Sequence, residues 1–310
     1  IYTQEGVPMQ TTSNVVIGAI QPYAGEFGIS TNPESFAVYG YRKYFTDANQ
    51  GSVLRLSQDG ITEISNYGMY DFFRDQLGVL SSGKAVGGYD IHNKCYTLSL
   101  QPASESVPTQ TLSFDESIKG WSSRYSYKPS NMFSVQNNFY STVTSAEKQE
   151  IHASTGVQIG DIFQHYSNNV NRANFYTTQY VSQIKSIFNA NPSVIKTFQT
   201  INYEGAPNWS MTSFVTNEDQ ANSVAVFNMP LTLADMETSL LKNEFKQKED
   251  KYFADLVNTS AFTQGEVVFG QSISGVKGFF ATVLLEATNT ATSGTNELFA
   301  ISTNYKESSY

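Results

Sequence analysis

The side chains that could do chemistry in this sequence are carboxylates, scattered among short aromatic segments. Cleavage of a glycosidic bond needs two carboxyl groups about 5 to 10 Å apart, one of them with a raised pKa. The available carboxylates before residue 170 include Glu26, Glu34, Asp71, Asp75, Asp115, Glu116 and Asp161. Nothing in their spacing pairs any two of them, so the sequence does not predict a glycosidase.

Nucleophiles and metal ligands are scarce. The single cysteine, Cys95, excludes an internal disulfide and a cysteine-based zinc site. Of the three histidines, His92 and His165 lie near turns beside aromatic residues. For both we favour a surface or hydrogen-bonded role over that of a general base. The sequence also lacks a nucleophile elbow, a phosphate-binding glycine loop, a zinc-protease motif and an EF-hand loop. We therefore expect no catalytic residue, no metal and no cofactor, and predict that the protein is not an enzyme.

Two segments approach the Asp-box of propeller proteins, Ser-x-Asp-x-Gly-x-x-Trp. One begins Ser57-Gln-Asp59-Gly60, and the other contains Asp115, Gly120 and Trp121 with a stretched spacing. In such boxes the aspartate caps a tight turn and the tryptophan packs between strands. We therefore interpret Asp59, Gly60, Asp115, Gly120 and Trp121 as turn and core residues, and Asp59-Gly60 also as a hairpin signal.

A glycine pair and the aromatic residues allow alternative interpretations. Gly87 and Gly88 lie at the centre of a predicted strand, where they either let another backbone approach closely or form a simple bulge. Trp121, Trp209 and the many tyrosines could form a platform for sugar rings. Packing in cores and interfaces is the interpretation that we favour for them.

The composition excludes several classes of protein. The 310 residues carry a net charge of −9, and clustered positive charge, which nucleic-acid binding requires, is absent. No apolar run reaches the roughly 18 residues that a membrane-spanning helix needs. Charged residues make up 15% of the chain, against about 25% in an average soluble protein. Surfaces rich in Tyr, Ser, Asn and Thr with few charges are typical of adhesive and self-assembling interfaces, and this chain, with 19 Tyr and neutral polar residues as its source of solubility, has that composition.

The pattern of apolar residues predicts a mainly β protein. Residues 1–35 form an extended N-terminal segment, and residues 36–175 contain short strands with turns between them, which favours incomplete β-propeller-like blades. Residues 176–310 form a smaller antiparallel β domain, and the polar stretch 167–174 precedes it. Few short helices are expected, the first over residues 70–77. Because the chain opens without Met, we expect a piece of a longer polypeptide.

The secondary structure of several segments in the second half can be predicted individually, in some cases with an alternative. Residues 180–188 could form a helix or a strand, because their apolar residues fit neither period cleanly, and residues 231–241 could contain a turn or two of helix. Residues 245–256 are predicted as a hairpin that turns at Glu249-Asp250, in preference to an amphipathic helix. Strands are predicted over residues 266–269, 279–285 and 297–302.

Several short segments together resemble a known family. They are AGEFGISTNPESF (24–36), YRKYFTD (41–47), GSVLRLSQDG (51–60), ISNYGM (64–69), GGYD (87–90), LSFDESIKGW (112–121), INYEG (201–205), ELFAIS (297–302) and ESSY (307–310). This set resembles the C-terminal region of large structural tail proteins of tailed bacteriophages, including crAss-like phages.

The resemblance implies a non-enzymatic, propeller-containing component of the tail nozzle or muzzle, located in the virion and present in several copies around the tail axis. The implied partners are other copies, other tail proteins and the remaining segments of the parent chain. DNA in the tail channel would be near but not bound sequence-specifically. A carbohydrate-binding adhesin of the virion is the alternative, and a glycan depolymerase is a third hypothesis.

Overall fold

The computed structural model divides the chain into two compact units, Ile1–Tyr166 and Ser167–Tyr310. The protein is mainly β, as the sequence predicts. The structure describes residues 23, 25–80, 82–104, 106–156, 159–218, 220–221, 223–224, 244–259, 275–288 and 296–308.

In its described part, the first unit consists of three antiparallel sheets that follow one another along the chain. The first sheet contains β1 (Ala37–Tyr39), β2 (Arg42–Asp47), β3 (Ser52–Ser57) and β4 (Gly60–Glu63). The second sheet contains β5 (Lys84–Asp90), β6 (Cys95–Gln101), β7 (Gln110–Asp115) and β8 (Gly120–Tyr125). The third sheet contains β9 (Asn131–Val135), β10 (Asn138–Thr142) and β11 (Ile162–Gln164). In each sheet, neighbours in sequence are neighbours in space.

The described part of the first unit contains two α-helices. α1 (Tyr70–Gly78) confirms the predicted helix and buries Phe73 and Leu77, which lie one turn apart on the same face. α2 (Ser145–Thr155) connects β10 to β11 and was not predicted. None of the helices in the described part of the chain is long and apolar enough to cross a membrane.

The second sheet is covered on both sides. All residues of β6 are buried, as are those of β5 after its first residue. β5 packs against β1 on one side and against β9 on the other, so the first strands of three successive sheets adjoin. Neighbouring propeller blades pack in this way. The described residues do not close a propeller, and that part of the expectation is not confirmed.

In its described residues, the second unit contains two larger sheets and a small ribbon. The β14 sheet has the order β14 (Val181–Phe188), β21 (Ala281–Thr288), β16 (Trp209–Thr216) and β17 (Gln220–Ala221). In the β22 sheet, β15 (Lys196–Gly205) pairs along one edge with β22 (Leu298–Glu307). Its other edge pairs with β19 (Lys251–Asp255) and with β20 (Val276–Gly278). β18 (Lys246–Lys248) pairs with β19. The ribbon is β12 (Asn174–Phe175) with β13 (Thr178–Gln179).

The two larger sheets contribute to one apolar core. Register shifts in two strands keep the apolar side chains of those strands directed towards it. A register shift between Met211 and Ser213 leaves Thr212 as an extra residue in β16. Because side chains alternate along a strand, this extra residue lets Trp209, Met211 and Phe214 all face the core. A similar shift in β15, between Phe198 and Thr200, does the same for Phe198 and Ile201.

The structure decides several open predictions in this unit. Residues 181–188 form a strand, and the predicted hairpin is confirmed as β18 and β19. Its two loop residues, Glu249 and Asp250, have φ values of 50° and 61°, the left-handed pair that a tight two-residue hairpin needs. The strands predicted over 279–285 and 297–302 are confirmed as β21 and β22. The predictions for 231–241 and 266–269 lie outside the described residues.

Candidate assembly surfaces

The glycine pair of β5 lies where the three sheets of the first unit come together. The pairing of β5 with β6 continues through Gly87 and Gly88 without a register shift, so the pair does not form a bulge there. A Cβ on Gly87 would lie 2.0 Å from the carbonyl oxygen of Ser35, and a Cβ on Gly88 would lie 2.5 Å from the Cβ of Met132. Successive strand residues face opposite sides. One glycine therefore admits the backbone that leads into the first sheet, and the other admits β9 of the third.

Tyrosines connect the first and second sheets. The Tyr96 hydroxyl donates a 2.7 Å hydrogen bond to the same Ser35 carbonyl oxygen that Gly87 accommodates. The Tyr44 ring stacks on Tyr96 with centroids 4.8 Å apart, and Tyr39 stacks on Tyr89 at 4.1 Å with an interplanar angle of 6°. Burial raises the pKa of Tyr96 well above its ordinary value. This contact is therefore made by neutral rings and hydroxyls.

Glu116 adds an ionic contact between the same sheets. Its Oε1 accepts a 2.8 Å hydrogen bond from the Tyr44 hydroxyl, and its Oε2 lies 3.2 Å from Arg55 Nη1. Arg55 also pairs with Asp59 at 2.8 Å. Burial and the hydrogen bond to Glu116 raise the pKa of Tyr44. This carboxylate, one of those considered for acid–base chemistry, is thus engaged in joining the β7–β8 turn to β2 and β3.

Both Asp-box-like segments lie at hairpin turns. Asp59 accepts a hydrogen bond from the Ser57 hydroxyl, which lowers the pKa of the Asp59 carboxyl. Gly60 follows this turn with a φ of 102°, a left-handed conformation that favours glycine. Asp115 accepts 2.7 Å hydrogen bonds from the hydroxyl and the backbone N–H of Ser117, and these lower its pKa. Gly120, at the start of β8, pairs with Asp115 across the hairpin.

The two tryptophans are engaged in packing. The indole N–H of Trp121 donates to the Ile64 carbonyl oxygen at 3.1 Å, and its ring lies 4.5 Å from the ring of Phe73 and 5.4 Å from that of Phe114. In the second unit, Trp209 is buried in the core. Trp209 therefore offers no surface on which a sugar ring could stack.

A polar cluster connects the third sheet to the β5–β6 turn. Asp90 is buried and accepts hydrogen bonds from the backbone N–H groups of His92 and Asn93, and also from the Tyr166 hydroxyl. The Tyr166 ring stacks on His92 at 4.2 Å. The neighbouring His165 lies 2.7 Å from the Ser141 hydroxyl, and burial lowers its pKa to about 4.

The part of the chain that the structure describes contains no cluster of side chains suited to metal binding, and its one cysteine is not activated. There, no three His, Cys, Asp or Glu side chains come together as a possible metal site. Burial raises the pKa of the Cys95 thiol to about 11, which keeps it protonated and weakly reactive.

The third sheet has one packed and one open face. Met132 and Phe139 are buried on the side that faces the second sheet. On the opposite side, Phe133 and Tyr140 are cross-strand partners with stacked rings 5.7 Å apart. Beside them, Val135 is 52% exposed and Ile162 is 60% exposed. We call these four residues (Phe133, Val135, Tyr140 and Ile162) the open face of the third sheet.

The second unit presents two long strand edges. Among the described residues, β14 pairs only with β21, and β22 pairs only with β15. β14 carries three exposed apolar side chains, Val181, Ile184 and Ile187, and β22 carries Phe299, which is 74% exposed. In the part of the chain that the structure describes, each of these strands thus carries apolar side chains exposed to solvent.

Comparison with protein-family models matches part of the second unit. Residues 170–259 match the family described as the Crassvirus muzzle protein C-terminal domain. No curated protein matches the chain. The resemblance to muzzle-type tail proteins is thus confirmed through this segment, which places the protein in the virion tail as a structural component. The match of residues 170–259 to a structural muzzle domain implies a non-enzymatic role.

The first prediction concerns the glycine pair. Gly87→Ala should lower the free energy of unfolding by about 3 kcal/mol, because the new methyl group would collide with a backbone carbonyl that cannot rotate away. Chemical denaturation of the full chain measures this change. Gly78→Ala is the matched control, because a Cβ there meets nothing within 4 Å. An equal, small effect of both substitutions would contradict the proposed close approach.

The second prediction concerns pH. The pKa of His165 is about 4 in the folded protein and near 6.5 when unfolded, so between these values the unfolded chain binds more protons. The contribution of His165 to stability is complete above pH 6.5 and is lost as the pH falls towards 4. Denaturation midpoints across this range should decline less steeply in His165→Gln than in the unchanged protein. An unchanged pH dependence in His165→Gln would contradict this contribution of His165.

Proposed function

We propose that this protein is an oligomeric wall component of the tail muzzle or nozzle, with several copies arranged around the tail axis and joined by β-rich, aromatic interfaces. The observation that carries this proposal is the open face of the third sheet. Its exposed apolar side chains resemble those of a propeller blade from which the adjacent blade is missing. The opposite face of the same sheet is packed against the second sheet. The muzzle-domain match of residues 170–259 supports the same assignment.

The physical reason is the cost of leaving such a face in water. Burial of apolar surface contributes roughly 25 cal/mol per Å², and contiguous apolar patches on protein surfaces mark interaction sites. The open face is one face of a β-sheet, so another sheet is the partner whose shape fits it. Other copies, other tail proteins and further segments of the parent chain are the proposed sources of that sheet.

The small proportion of charged residues and the negative net charge suit a position near the tail channel. DNA binding requires clustered Lys and Arg, whereas this chain has a net charge of −9. A wall of such subunits would repel phosphate weakly and let DNA pass. We therefore propose passive proximity to DNA and no sequence-specific contact with it.

The third prediction tests assembly through the open face. The full chain should form multimers in light scattering, and Val135→Lys with Ile162→Lys should shift it towards smaller species, because two charges would have to be buried. Ile118→Lys is the control, since Ile118 is 63% exposed in the turn between β7 and β8. A monodisperse monomer, or multimers that the double substitution leaves intact, would count against this proposal.

A carbohydrate-binding adhesin is the second candidate, and exposed tyrosines favour it. Tyr41 is 75% exposed, and the nearby Tyr39 is exposed and held flat against Tyr89. Sugar rings stack on such aromatic surfaces. If this candidate is correct, the protein should bind a defined set of glycans on an array, and Tyr41→Ala should reduce that binding at least tenfold. Absence of binding would remove this candidate and leave the wall component unaffected.

A further inference from the structure

The chain leaves the first unit through a short segment, residues 161–166, that contains β11. This strand has three residues, two of them exposed and one half-buried, and it pairs with β10. One further backbone hydrogen bond, from the His165 N–H to the Phe139 carbonyl oxygen at 2.9 Å, continues the pairing. Segments with little buried apolar surface open locally at a low cost in free energy, unless side chains anchor them.

The His165 side chain anchors this segment to the third sheet. The centroid of its ring lies 5.0 Å from those of Tyr127 and Phe139, and its Nε2 lies 2.7 Å from the Ser141 hydroxyl oxygen. Tyr127, Phe139 and Ser141 are all buried. The imidazole thus lies among two aromatic rings and a hydroxyl, surroundings that accept a neutral ring more readily than a charged one.

Titratable groups surround this site on several elements. In the described part of the chain they include Tyr125, Tyr127, Tyr166, His92 and Asp90. The Asp90 carboxylate accepts a hydrogen bond from the Tyr166 hydroxyl and two from backbone N–H groups. At the other end of the segment, Asp161 pairs with Lys148 of α2. Burial lowers the pKa of His165 to about 4, so protonation of this ring and its burial oppose each other.

Tyr166, the last residue of the first unit, has an unusual backbone conformation. Its φ is 62°, in the left-handed region that bulky residues rarely adopt. The hydrogen bond to Asp90 and the stacking on His92 at 4.2 Å hold the residue in place. Backbone strain of this kind persists only where surrounding contacts impose it, and it recurs in switch regions. Release of the segment would therefore also relieve this strain.

We infer that residues 161–166 form an acid-sensitive hinge at the end of the first unit. While His165 is neutral, the segment stays on the third sheet. When His165 gains a proton, the charged ring is more stable in water than beside Tyr127 and Phe139, and β11 separates from β10. The connection to the second unit then becomes longer by these residues. This inference does not depend on the oligomeric function proposed above.

Acidification shifts the equilibrium between the closed and the released segment. In the released form His165 is in water with its ordinary pKa of 6.5, whereas in the closed form its pKa is about 4. The released form therefore binds more protons between these values. Within that range, each unit by which the pH falls should raise the ratio of released to closed segment by about tenfold.

Hydrogen exchange of the full chain, read by mass spectrometry, tests the hinge. Amide protection factors, which correct for the intrinsic pH dependence of exchange, are compared at about pH 7.5 and about pH 5, on either side of the ordinary pKa of histidine. At the lower pH we expect protection of residues 161–166 to fall by about tenfold or more. Protection of β6, whose residues are all buried, should stay the same. Unchanged protection of residues 161–166, or an equal loss in both segments, would overturn the hinge.

Three variants of the full chain identify the group that titrates. His165→Phe keeps a ring in the site but cannot gain a proton, so the pH dependence of protection in residues 161–166 should disappear. His152→Gln, which removes an exposed histidine of α2, should keep that dependence. Tyr166→Phe removes the hydroxyl bond to Asp90, and should lower protection at both pH values and keep the dependence. A pH dependence that persists in His165→Phe, or that is lost in either other variant, would contradict the hinge.

Discussion

The first unit depends on the close approach of three backbones at Gly87 and Gly88. A side chain larger than hydrogen on Gly87 would meet the Ser35 carbonyl oxygen, and one on Gly88 would meet Met132. Because these neighbours lie on opposite faces of β5, the pair sets the spacing of all three sheets at once. The tyrosine stacks and the Glu116 contacts can form only at that spacing, since each of them crosses from one sheet to another.

The unusual composition of the chain follows from this architecture. Sheets that stack face to face need flat side chains with a polar tip, and tyrosine supplies both. Tyr44 and Tyr96 are buried as neutral rings, and each finds a hydrogen-bond acceptor. Few charges are needed inside, and the carboxylates Asp59, Asp90 and Asp115 are held at turns by local donors. Asp115 and Glu116, two of the carboxylates considered for acid–base chemistry, thus have structural partners.

Sequence reasoning succeeded where the local signal was strong. The hairpin at Glu249-Asp250 was predictable because Tyr252-Phe253 and Leu256-Val257 lie in strand-like surroundings, and the helix at 70–77 because its aromatic residues lie on one side. Residues 180–188 stayed ambiguous because the strand that forms there is partly exposed on both faces, so its apolar residues do not alternate regularly. α2 was missed because its polar sequence has no apolar stripe. The bulge at Thr212 depends on the partner strand and has no local signal. Of the segments that carried the family resemblance, 201–205 alone lies within the matched range 170–259.

The central claim is that the open face of the third sheet is a subunit surface of the tail wall. A density map of the assembled virion tail, with this chain placed in it, tests the claim most directly. We expect several copies around the tail axis, with another β-sheet packed over Val135 and Ile162. A single copy off the axis, or copies in which these two side chains face solvent, would contradict the account.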